Sequence, residues 1–367
     1  MLPAVMSLFA SASSATLTLA TPVWRVKNQS FAAVCMGLGF RNDTHGWTTL
    51  TSGIAPLQIV GSSDGGKSWQ LPVTDERPVV LVVGLATAKP PAPLAISTTG
   101  LLSSRYSTDG ATFNVSKHAT FTPNSIRAAR DGRMVVAGED SVCVSSDGGA
   151  SYACHHVPLL NSGTGRDAVS PAPGVLYMSA GAWPVQHGQG RRVSERGARL
   201  KDGRLRDRLD DGYTAELWRS TDDGATWDLL HNSSGTFYFT SIDCFDKLTC
   251  VATAEGFGKA SSSPGAFVFA STDGKTFRQV HKETAVGASL IDAQMLSKEE
   301  HWAAGNLGDA ASAPALALHS MDGGKSYANE AGGLQGQYIQ TLDFVSPSHG
   351  YAVAINQHGL CSLLEYS

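Results

Sequence analysis

A chain of 367 residues is long enough for one large domain or two ordinary ones, and its 42% hydrophobic content excludes wholesale disorder. A net charge of −4 removes the general reason to expect nucleic acid or an anionic membrane as partner. Only 16% of residues are charged while 39 are glycine, which suits many short strands and tight turns better than long surface helices.

In chain order, residues 1–20 carry no charged side chain and read as a secretory signal segment, with Ala15 or Ala20 as cleavage candidates. No Lys or Arg stands near Met1, and a Ser-rich plastid transit segment is the rival reading. No run reaches the roughly 18–20 apolar residues of a spanning helix, so no membrane span is expected. Four Asn-x-Ser/Thr sequons, at Asn28, Asn42, Asn114 and Asn232, together with six cysteines, favour the secretory route.

After a lone strand at 22–28, one short pattern recurs: SSDGGKSW (62–69), STDGATF (107–113), SSDGGASY (145–152), STDDGATW (220–227), STDGKTF (271–277) and SMDGGKSY (320–327). Its aspartates, Asp64, Asp109, Asp147, Asp222, Asp273 and Asp322, lie 45, 38, 75, 51 and 49 residues apart, mostly the period of propeller blades. Asp suits a turn whose backbone N–H groups need an acceptor, and Gly supplies positive φ. The closing aromatic, such as Trp69 or Trp227, packs beneath the turn. These are structural tasks.

Strand-like segments precede the boxes, as in HGWTTL (45–50), CVATAEG (250–256) and HWAAG (301–305). Further strands precede those, as in TSIDCF (240–245), SLIDAQ (289–294) and QTLDFV (340–345). Each unit therefore reads strand, strand, strand, box turn, strand. Residues 338–367 supply three strands and no box. The expected fold is all-β: a single seven-bladed β-propeller of four-stranded antiparallel blades over residues 21–367. Its ring is closed by the N-terminal strand joining the C-terminal blade, which removes exposed sheet edges.

The 75-residue interval holds a charge-dense insertion at 186–211. It reads as a solvated loop or, through Arg191, Arg192, Arg204 and Arg206, as a partner-docking arm. Cys143 and Cys154 flank the third box on strands expected to pair, and Cys244 and Cys250 bracket a short turn. Cys35 and Cys361 remain, and their pairing would staple the ring closed. Fifteen connectivities stay open, as do free buried thiols in a reducing compartment. Zinc-type spacings are lacking, so neither metal nor cofactor is expected.

At its boxes the chain resembles the Asp-box (bacterial neuraminidase repeat) superfamily, which includes sialidases, sortilin-type receptors, xyloglucan-active glycosidases and photosystem II assembly factors. His45-Gly46-Trp47 with Ser62 to Trp69, echoed at His349-Gly350-Tyr351, is most similar to the last group. The resemblance implies a propeller and leaves the activity open. A sialidase would need an Arg-Ile-Pro-type element ahead of the first box, and the local candidate, Glu76-Arg77-Pro78, follows it.

Asp243, Asp292 and Asp343 each follow Ile or Leu in the first strand of a unit and read as matching positions near the central channel. They are the weak catalytic candidates, since glycosidases use paired carboxylates. The rival role is capping of backbone N–H groups. The sequence thus points to a monomeric, non-catalytic scaffold that binds a protein or glycan in a secretory or endomembrane lumen, with the plastid lumen as alternative. A sialidase-like glycoside hydrolase using channel carboxylates is the competing function.

Overall fold

The computed structural model describes residues 22–31, 33–51, 58–70, 82–100, 104–116, 122–161, 163–183, 212–308, 310 and 312–367, with residues 28–30 and 82 described in backbone only. The expected signal segment 1–20, the Glu76-Arg77-Pro78 element, the Asn28 side chain and the insertion 186–211 with Arg191, Arg192, Arg204 and Arg206 lie outside the described residues.

The chain enters through β1 (Trp24–Phe31) and builds its first blade from β2 (Val34–Phe40), β3 (Gly46–Thr51) and β4 (Gln58–Ser62). The second holds β5 (Val82–Thr87), β6 (Ile96–Gly100), β7 (Ser104–Ser107) and β8 (Asn114–Val115). The third holds β9 (Ser125–Ala128), β10 (Met134–Gly138), β11 (Ser141–Ser145) and β12 (Ala153–His156). The fourth holds β13 (Thr164–Ala172), β14 (Val175–Ala182), β15 (Thr214–Ser220) and β16 (Asp228–Ser234). The fifth holds β17 (Tyr238–Cys244), β18 (Cys250–Gly256), β19 (Gly265–Ser271) and β20 (Arg278–Glu283). The sixth holds β21 (Ala288–Met295), β22 (His301–Leu307), β23 (Ala315–Ser320) and β24 (Ala328–Asn329). The last three strands, β25 (Gln337–Ser346), β26 (His349–Asn356) and β27 (Cys361–Tyr366), take β1 as their outer partner, giving the order β1-β27-β26-β25.

The fold is therefore a seven-bladed propeller closed by its N-terminal strand. Six sheets have four strands. The first has three among the described residues, and only the bridge Gly61–Gln70 marks its outer edge. No helix of the described residues is long and apolar enough to cross a membrane.

Burial follows from stacking sheets face to face. The second strand of each blade is covered on both faces, so β18 and β10 are buried at every residue. Such strands read as apolar runs, not as alternating ones. The outer strands β16 and β20 hold no buried residue.

The closure is sealed by aromatic and covalent contacts. Trp24 sits edge-on to Trp302 and Phe344 at 6.0 and 5.8 Å, inside one apolar cluster with Tyr366. Cys35 and Cys361 are disulfide-bonded across a sequence separation of 326, tying the first blade to the last. Cys143–Cys154 and Cys244–Cys250 bridge neighbouring strands within one blade.

All six boxes share the serine-to-aspartate bond. The four eight-residue boxes close on the residue four positions after the aspartate, and the shorter boxes of Asp109 and Asp273 on the N–H groups two and three positions after it. In the first, Ser62 Oγ donates to Asp64 Oδ1 at 2.9 Å and accepts from Gly66 N at 2.8 Å. Asp64 accepts from the backbone N–H and hydroxyl of Ser68 at 2.9 and 2.6 Å, while Gly65 and Gly66 hold φ of 71° and 79°. These bonds hold the carboxyl groups of Asp64, Asp109, Asp222 and Asp322 down at about 2.

Each box then docks on the preceding blade. Trp47 Nε1 donates to Gly110 O at 3.0 Å, and Tyr177 hydroxyl donates to Gly274 O at 3.0 Å. That explains the glycine in His-Gly-Trp and His-Gly-Tyr. Gly46 lies opposite Phe40 and Gly350 opposite Phe344, and a Cβ on either would stand 2.5 or 2.6 Å from a ring carbon. The glycine admits the ring, and the next aromatic is free to reach along the neighbouring blade.

Candidate functional site

The innermost strands surround an axial cavity of about 820 Å3 whose lining extends to the loops Arg41–Asp43, Lys89–Pro91 and Ser346–Pro347. Those loops lie on the same face as the boxes, as Gly65 N donating to Thr44 O at 2.9 Å shows. The cavity lining includes five basic side chains (Arg41, Lys89, Arg127, Arg130, Arg166) and five aspartates (Asp43, Asp167, Asp243, Asp292, Asp343).

The structure corrects the alignment of the three candidate carboxylates. Ser271 pairs with Cys250, which pairs with Cys244, so Asp243 lies one step before that rung. The same path from Ser320 through His301 to Met295 reaches Gln294, not Asp292. A bulge recurs at the same place in the fifth, sixth and seventh blades and aligns Asp292 with Ser241 and Thr341, two residues before the place its Ile-Asp context suggests. The same path in the third blade, from Ser145 through Met134 to Ala128, places Arg127 where Asp243 stands in the fifth.

Two rings of acceptors result. In one, Asp167, Ser241 and Asp292 accept from the backbone N–H groups of Ile242, Ala293 and Leu342 in the following blade, at 3.1, 3.2 and 2.9 Å. In the other, Asp243 accepts from Met295 N and Gln294 from Phe344 N, both at 2.8 Å, and Asp343 accepts from Phe40 N. Each carboxylate stitches one blade to the next, the capping role.

Cations from blades two and three bind these rings across the axis. Arg127 Nε donates to Asp167 at 2.7 Å, and its Nη2 donates to Ser241 Oγ at 2.8 Å and to Asp292 at 2.5 Å. The surrounding carboxylates raise its pKa further against the cost of burial. Lys89 is paired with Asp343 and donates to Phe344 O. Burial pushes the carboxyls of Asp243 and Asp343 up, against the neighbouring Arg127 and Lys89 charges respectively. At the mouth, Arg41 donates to Ala88 O and Ala92 O, each at 2.8 Å, while Arg130 donates to Met295 O at 3.0 Å, lies 4.4 Å from the Phe245 ring centre and adds its charge to the field on Asp243.

Asp167 and Arg127 are the residues that sequence reading missed. Arg127 was visible as Ser125-Ile126-Arg127-Ala128, a copy of Ser241-Ile242-Asp243-Cys244 with the charge reversed. On the opposite side, Glu255 is a further buried carboxyl, accepting from Tyr238 and Ser289 hydroxyls and pushed up to about 7 by burial. No group of metal-ligating side chains occurs among the described residues. Of the sequons, Asn42, Asn114 and Asn232 are exposed. Asn42 Oδ1 is engaged by Thr44 and His45 at 2.8 to 3.0 Å.

No family model and no curated protein matches this sequence. Solved structures do match in fold. A structure described as YCF48 bound to D1 peptide superposes with a TM-score of 0.59 at 15% identity, covering 95% of this chain and 96% of that one. YCF48 from Cyanidioschyzon merolae gives 0.58 at 14% identity, covering 94% and 98%. At such identity the likeness is one of fold.

Proposed function

We propose that this chain is a non-catalytic propeller that holds a protein partner through an extended peptide segment at the box-side mouth of its axial cavity. The observation that carries this reading is the saturation of the channel carboxylates. Asp167, Asp243, Asp292 and Asp343 all accept backbone N–H groups of the next blade, and three of them also receive Arg127 or Lys89. A glycosidase needs one carboxyl free to donate a proton and another free to attack or activate water. A rigid rim carrying Arg41 and Arg130, which form no carboxylate ion pair among the described residues, suits recognition instead.

The fold likeness to YCF48, one of whose structures holds a D1 peptide, supports a peptide as the bound element. It also agrees with the resemblance to photosystem II assembly factors, and favours an organelle lumen over secretion. The three disulfides support an oxidising compartment. The boxes are read as members of the Asp-box superfamily because all six copies share the serine-to-aspartate bond within the turn. A glycan in place of a peptide is the subordinate reading.

Fluorescence anisotropy with extended peptides, the D1 peptide first among them, tests the proposal. Binding by the wild type and its loss in an Arg41→Ala/Arg130→Ala variant of unchanged melting temperature is expected. Hydrolysis of sialylated or β-glucan substrates that disappears in Asp343→Asn would overturn it.

A further inference from the structure

The three disulfides differ sharply in what covers them. Cys35, Cys361, Cys244 and Cys250 are each 3% exposed or less, inside apolar clusters between blades. Cys143 is equally buried, against Ala86, Ala88 and Ile126 of the second-blade interface. Its partner Cys154 is exposed. In the neighbouring blade the outer strand β8 is only two residues long. Cys154 also sits on β12, which is bonded to β11 alone and holds no buried residue.

We propose that Cys143–Cys154 is a site of thiol–disulfide exchange for a dithiol protein of the thioredoxin type. Exchange requires access to one sulfur, and Cys154 is the one exposed cysteine of the six. The incoming thiolate bonds to Cys154 Sγ as the bond to Cys143 breaks. The electron pair leaves on Cys143 Sγ, which takes up a proton. The second thiol of the dithiol protein then attacks its own mixed-disulfide sulfur and releases Cys154 as a thiol. The dithiol ends as a disulfide, having supplied both electrons.

Reduction has a defined structural consequence. The bridge clamps β12 to β11 just after the third box, and that box is one of the contacts between blades two and three. Tyr152 hydroxyl bonds Ser97 at 2.8 Å, and Ser116 hydroxyl donates to Gly149 O at 2.5 Å. Exchange at Cys154 therefore loosens the outer edge of the third blade and its seat on the second. The inner strand β9, with Arg127, stays in place. This goes beyond the peptide-binding reading and does not depend on it.

The folded protein, incubated with a thioredoxin-type protein whose resolving cysteine is serine, is expected to form one covalent adduct, on Cys154. With dithiothreitol and mass-spectrometric alkylation, Cys143 and Cys154 become reactive roughly tenfold sooner than the other four cysteines. Amides of Ala153–His156 then exchange hydrogen faster, while those of β10 do not. No adduct, an adduct on another cysteine, or release of all six thiols together overturns the proposal. A Cys143→Ser/Cys154→Ser variant that folds lacks the adduct.

Discussion

Arg127 Nη2 donates to Asp292 Oδ1 at 2.5 Å, joining the third blade to the sixth across the axis of the ring. The same guanidinium holds Asp167 of the fourth blade and Ser241 of the fifth. The two aspartates keep 3% and 9% of their side-chain surface exposed, so they depend on this single cation. Replacing it strands two buried carboxylates at once, which is more damaging than the pair itself is stabilising. Arg127→Gln is expected to lower unfolding free energy by about 3 kcal/mol. Adding Asp292→Asn should recover part of that loss in a urea titration. A strictly additive double variant would show that the two groups are not coupled.

Ring closure predicts a second effect. Without β1, strand β27 becomes an open edge, and the cluster of Trp302, Phe344 and Tyr366 loses Trp24. A chain lacking residues 22–31 is expected to aggregate, while the full chain stays dispersed in light scattering. The Cys35→Ser/Cys361→Ser variant should fold but unfold about 2–4 kcal/mol more easily. Equal melting of truncated and full chains would contradict the closure.

The glycines beneath the aromatic rings allow a third. Phe40 is stacked on Tyr351 at 3.6 Å and cannot swing aside freely, so a methyl at Gly46 has nowhere to go. Gly46→Ala and Gly350→Ala should each cost about 1–3 kcal/mol in chemical denaturation. Gly235→Ala, which meets nothing within 4 Å, tests backbone strain alone because its φ is 82°.

Buried and box carboxyls shape stability in opposite pH windows. Glu255 is raised from 4.5 to about 7, so the folded state holds its proton more tightly than the unfolded one. Its contribution is full below pH 4.5 and is lost as pH rises through 7. His301, lowered from 6.5 to about 4 by burial, acts oppositely, losing its contribution as pH falls through that range. The difference between wild type and Glu255→Gln isolates the carboxyl. The variant's melting temperature should fall less than the wild type's between pH 5 and pH 8. Below pH 4 the box aspartates dominate. Held at about 2, they lose their stabilising hydrogen bonds as pH drops from 4 towards 2, and thermal melts in that range should show a steep decline in both proteins.

The box turn is a local object. Ser62, Asp64, Gly66 and Ser68 satisfy one another within four residues of chain, so the motif appears in sequence as a contiguous string. Its repetition gave the blade count, and the boxless last unit with a lone first strand gave the closure. The register of the innermost strands is not local. Asp292 falls on the rung of Ser241 and Thr341, two residues before that of Asp243 and Asp343, and an Ile-Asp dipeptide carries no mark of it. The partners that define the channel side chains lie 40 to 303 residues away, as with Asp167 for Arg127 and Phe40 for Asp343. Such pairings exist only once the ring has closed. Sequence therefore determined the architecture through short-range hydrogen bonding and periodic burial. Only the tertiary structure decided that the channel aspartates join blades, because their roles depend on what the neighbouring blades bring within hydrogen-bonding distance.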